Sequence, residues 1–95
     1  MSKEYRLAMN YYRKVVGSDT FVPEGFHLTS NRQSLVRAMG HVRSGMQVST
    51  KNITVHISLP AEGRSVFVRG VTVSTLTNAV ASAIDCLEAG TKDPG

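Results

Sequence analysis

The chain has 95 residues, 41% of them hydrophobic and 19% charged, with a formal net charge of +4 and a pI near 9.6. That length holds one hydrophobic core and no second domain, and the composition excludes a disordered chain. No apolar run reaches the roughly 18 residues of a membrane span, and the single cysteine, Cys86, excludes an internal disulfide.

The opening "MSKEYRLAMNYYRK" is amphipathic and charged, without the apolar middle of a signal peptide, so a cytoplasmic chain is expected. Read at about 100° per residue, it predicts a helix over 3–16 with Tyr5, Ala8, Met9, Tyr12, Val15 and Val16 on the core side. Lys3, Arg6, Asn10, Arg13 and Lys14 fall on the opposite side, Leu7 and Tyr11 on the margin, and Gly17 supplies a stop. "GSDTFVPEGFHLTS" (17–30) reads as a loop, with Pro23 and Gly25 marking a turn and a short extended piece at Phe26–Leu28.

Ser30 and Gln33 form a capping-box pattern that opens a second helix, about 31–43. Leu35, Ala38, Met39 and Val42 make its apolar side, Arg37 and His41 point away, and Arg32 and Arg43 flank the stripe. "MQVSTKN" leads towards a strand. From Asn52 the alternation is strict: Ile53, Val55, Ile57 and Leu59 face one way, Thr54, His56 and Ser58 the other. "PAEG" (60–63) is a hairpin loop that pairs residue i with 123 − i, which sets Ile57 against Val66 and Val55 against Val68. A bulge at Gly70 returns Val71 and Val73 to the core side, while Phe67 and Arg69 stay on the outer face beside His56 and Thr54. A last helix opens at a Ser74/Thr75/Thr77 cap, packs Leu76, Val80, Ala83, Ile84 and Leu87 inward, and closes at Gly90.

The expected fold is therefore α+β: a small antiparallel sheet with a central β-hairpin (52–73) and about three helices, in the order α-α-β-β-α. Residues 1–90 form the domain and 91–95 a frayed tail. No internal repeat is visible. Residues 1–51 carry a net +5 and residues 52–95 a net −1, which places the positive field in the front half.

Chemistry is sparse. His27-Leu28-Thr29 and His56-Ile57-Ser58 resemble the signature of the 2H phosphoesterases, in which two histidines act as acid and base on a phosphodiester. The resemblance covers six residues, that family has two related lobes, and the preferred reading is two unrelated histidines, one in a loop and one on a strand face. Cys86 reads as a small hydrophobe on a helix flank, the three histidines lack metal-ligand spacing, and the glycines form no phosphate loop. No enzyme activity, cofactor or metal is expected. The C-terminal half resembles the outline of a double-stranded-RNA-binding domain, but "STLTNAV" stands where that family has its lysine cluster.

A binding role remains. Seven of the eleven cations are arginines, a residue enriched with Tyr, Phe and Met at protein contacts. The expected contact residues are Tyr11, Lys14, Arg32, Arg37, Arg43, His56, Phe67 and Arg69, with Met46 close by. In size, in lacking catalytic chemistry and in its Arg/aromatic surface, the chain resembles the small phage-encoded proteins that disable host machinery, anti-CRISPR proteins among them. This likeness of character, without a shared motif, implies an inhibitor or modulator of a larger protein complex that handles nucleic acid. The alternative is direct nucleic-acid binding through the basic faces of helices 1 and 2. No membrane partner is expected, and a homodimer is compatible with both.

Overall fold

The computed structural model describes residues 3–45 and 50–90. Its elements run β1 (Tyr5–Lys14), β2 (Phe21–Ser30), α1 (Arg32–Gly45), β3 (Thr50–Leu59), β4 (Arg64–Val71) and α2 (Leu76–Ala89). The order is β-β-α-β-β-α, with two helices and a four-stranded antiparallel sheet ordered β2-β1-β3-β4. The expected α-α-β-β-α order with three helices is overturned.

The correction lies in residues 3–30. Tyr5 and Met9 satisfy both a helical and a strand period, so the two readings part at Leu7 and Ala8. Leu7 is buried and Ala8 faces outward, while Tyr12 is 43% exposed and Val16 is 94% exposed. The alternating set Tyr5, Leu7 and Met9 is buried with Tyr11 packed against it, and tyrosine suits a pleated surface. β1 pairs on both sides, with β2 through Leu7↔Leu28 and Met9↔Phe26, and with β3 through Leu7↔Ile57 and Met9↔Val55.

The stretch read as a loop is the edge strand β2. Pro23 lacks an N–H, which excludes it from a central strand but suits an edge. Gly25 marks a close approach: a Cβ there would lie 2.5 Å from the Met9 carbonyl oxygen and 2.7 Å from Asn10 Oδ1. Both residues therefore belong to a strand, although their usual meaning is a turn.

The second half follows the pattern read from its alternation. β3 and β4 pair as Ile57↔Val66, His56↔Phe67 and Val55↔Val68, and the register shifts before Ile53↔Val71. Gly70, at φ +70°, sits in that bulge, where a left-handed backbone suits glycine. A matching irregularity lies between β1 and β3, where Asn52 takes φ +56° opposite Tyr11. The hairpin is not central, because β4 is an edge and the β1/β3 pair forms the middle of the sheet. The chain thus repeats a ββα unit twice, the two units meeting along β1 and β3, although no sequence repeat announces it.

Both helices pack on one face. Leu35 and Met39 of α1, and Leu76, Val80, Ala83, Ile84 and Leu87 of α2, close a single core over Tyr5, Leu7, Met9, Ile53, Val55, Ile57 and Leu59. α1 is capped by Asn31, whose Oδ1 accepts from the Ser34 backbone N–H at 2.9 Å, so the expected Ser30/Gln33 box is displaced by one residue. No helix among the described residues is long and apolar enough to cross a membrane. Met46 and the tail at 91–95 lie outside the described residues.

Candidate functional site

With both helices on one side, the other face of the sheet stands open. Among the described strand residues, none that points outward is Asp or Glu. Four cations do point outward: Arg6 and Lys14 from β1, Lys51 from β3 and Arg69 from β4. The other seven Lys and Arg residues of the chain equal the seven Asp and Glu in number, and Arg37 and Arg43 among them form no ion pair among the described residues. Glu4, just before β1, and Asp19, 3.6 Å from Lys14 in the first hairpin loop, are the carboxylates at its border. The remaining described acids are held elsewhere. Glu24 accepts from Arg13 Nε at 2.9 Å, Glu62 lies 3.0 Å from Lys3, and Asp85 and Glu88 flank Arg32.

Two ring-and-cation groups stand on this face. On the β3/β4 side, the His56 and Phe67 rings lie 6.0 Å apart and the Arg69 guanidinium is 5.3 Å from the Phe67 ring centre. Phe67 is 50% exposed, a large apolar ring left half open beside His56 and Arg69. Most of the segment read from the sequence as a loop (17–30) is β2, on the far edge of the sheet from Phe67. On the β2 side, Lys51 Nζ reaches across β1 to 3.7 Å from the Phe21 ring centre. Tyr12 and Lys14 border this second group in register. Rings flanked by cations on an open sheet suit planar, anionic ligands.

The expected contact residues divide. His56, Phe67, Arg69 and Lys14 share the open face. Tyr11 turns to the helix side, where its ring meets Phe26 edge-on at 6.5 Å and its hydroxyl donates to Glu24 Oε2 at 3.2 Å. Arg32 is held by Asp85 and by Glu88 at 2.8 Å, so it braces α1 against α2. Arg37 and Arg43 are exposed on α1, on the opposite side of the molecule from the open face. A basic face of helix 1 does not exist, since that segment is β1 and its cations split between two faces. Arg6, Tyr12, Phe21, His27 and Lys51 were absent from the expected set. The signal for them was the alternation Tyr5-x-Leu7-x-Met9-x-Tyr11, which in strand phase sends Arg6 and Tyr12 outward.

A cleft of about 600 Å³ opens where β1 meets the helices, lined by Lys3, Tyr5, Arg32, Val36 and Glu88 among others. Three of its polar groups already pair: Tyr5 Oη donates to Glu88 Oε2 at 2.8 Å, beside the Arg32–Glu88 pair. Burial, and then the Glu88 carboxylate, push the Tyr5 hydroxyl up to about 12, partly opposed by Arg32. The folded state therefore holds this proton more tightly than the unfolded chain. The associated stability is present below about pH 10 and is lost as pH rises towards about 12. Tyr5→Phe is expected to remove about 2 kcal/mol of that pH dependence, read from urea midpoints across the window. An unchanged alkaline slope in the variant would contradict the assignment.

No family model, curated protein or solved structure matches the chain.

Proposed function

We propose that this chain is a non-enzymatic, cytoplasmic binding protein that holds a single nucleic-acid strand on the open face of its sheet. The observation that carries the reading is the charge layout: four cations and exposed rings share one uncovered face that has no strand carboxylate. A single strand offers phosphates to the four cations and base faces to Phe67, Tyr12 and Phe21, and stacking on such rings tolerates any base. A duplex suits the face less, because its bases are stacked within and present no free planes.

The compact His56/Phe67/Arg69 group on an edge strand favours a second reading. In it, the same face docks on a protein of a larger nucleic-acid-handling assembly and modulates it, as the sequence character implies. A salt titration separates the two readings. With four phosphate contacts, the affinity for a short single strand is expected to fall with a log–log slope of about −3, roughly fiftyfold between about 50 and about 200 mM salt. Absence of binding at the lower salt overturns strand binding and leaves the protein-directed reading, which a pull-down with wild type and a Phe67→Ala/Arg69→Ala variant then tests.

A further inference from the structure

His27 and His56 were read from the sequence as unrelated, one in a loop and one in a strand. The sheet register joins them. Ala8 of β1 pairs with His27 on one side and with His56 on the other, so the two imidazoles flank one methyl group on the open face. At the usual strand spacing their backbones are about 10 Å apart. In the next row of that face Arg6 stands between Thr29 and Ser58, by the pairs Arg6↔Thr29 and Arg6↔Ser58. In register, the small Ala8 is bordered by an imidazole on each side and, in the next row, by a guanidinium between two hydroxyls.

The geometry points to a phosphate seat over Ala8, with Arg6 as its fixed charge and His27 and His56 as charges that appear on protonation. Arg6 has no ion pair or hydrogen bond to another side chain among the described residues, so its planar donor fork is available to a phosphate. Thr29 and Ser58 supply hydroxyl donors to oxygens that the fork leaves unpaired. The seat rests on the strand-binding reading, and names the place where that strand is gripped.

The seat is pH-dependent for a definite reason. The charged groups that face the imidazoles are Arg6 on β1 and Arg69 on β4, with Lys51 and Lys14 further along and Glu4 beyond Arg6; β2 contributes only His27 itself. A phosphate seated over Ala8 favours the charged form of an imidazole beside it. Because coupling is reciprocal, a phosphate that promotes proton uptake is itself bound more tightly when the protons are present. Histidine changes charge between about pH 5 and about pH 8, which sets the window.

The test uses the full chain with two probes, inorganic phosphate and a short single-stranded oligonucleotide, at about pH 5.5 and about pH 8. Binding of each probe is followed by the imidazole NMR signals and by affinity. Both histidine signals should move together with phosphate, and oligonucleotide affinity should be at least about tenfold greater at the lower pH. The His27→Ala/His56→Ala variant should lose that ratio, while Arg6→Ala should weaken binding at both pH values. Since all three side chains are outward, near-UV circular dichroism should show the variants folded. A wild-type oligonucleotide affinity equal at both pH values overturns the seat and leaves strand binding standing. Phosphate that moves both imidazoles with no oligonucleotide bound upholds the seat and overturns the strand reading. Silence of both probes overturns both.

Discussion

Leu7→Ala is expected to destabilise the domain by about 2–5 kcal/mol, whereas Val16→Ala should leave its stability unchanged within about half a kcal/mol. The two residues separate a strand from a helix over the first sixteen positions. In a helix Leu7 would sit at the margin and Val16 on the core stripe. In the sheet Leu7 is buried in the central strand between Leu28 and Ile57, and Val16 stands almost fully in solvent. Truncating Leu7 removes buried apolar surface and leaves a cavity that two hydrogen-bonded neighbours cannot close. A domain of this length has a total stability of only about 5–14 kcal/mol, so the variant should show a large loss in urea midpoint. A Leu7→Ala loss below about 1 kcal/mol, or a comparable loss at Val16, would mean that the first segment is not the central strand.

The second large effect is on binding. Phe67→Ala together with Arg69→Ala should weaken single-strand affinity by about tenfold to a few hundredfold and make the salt slope shallower by about 0.7. The slope changes because one phosphate contact is lost; the affinity at high salt falls because a stacking ring is lost. Stability should change little, since Phe67 is half exposed and its contact with His56 contributes a few tenths of a kcal/mol. Arg37→Ala/Arg43→Ala is the paired control. It removes twice the charge from the far side of the molecule and should leave both affinity and the sheet-face contacts intact. If the helix variant loses binding and the sheet variant does not, the contact surface is α1.

Much of the second half was legible in the chain itself. Ile53, Val55, Ile57 and Leu59 alternate without exception, and a one-residue slip would have sent all four into water, so burial agrees with the register that the "PAEG" loop sets against Val66 and Val68. The inward set of α2 was equally plain, because Leu76, Val80, Ala83, Ile84 and Leu87 fit the helical period and no other. His56, Phe67 and Arg69 were therefore placed together before any tertiary information entered.

Residues 3–30 were different. Tyr5 and Met9 agree with two periods at once, and Pro23 and Gly25 carry a local meaning of turn that an edge position and a crowded carbonyl reverse. Local propensity cannot choose there, because the deciding energy comes from partners far along the chain: Ile57 and Val55 for β1, and β1 in turn for β2. The same non-local pairing placed His27 beside His56 and Arg6 between two hydroxyls. Sequence by itself determined the β3–β4 register, the inner face of α2 and a surplus of positive charge. Tertiary pairing alone decided that four of the cations share one open face, since the choice between strand and helix in β1 settles which side Arg6 and Lys14 take.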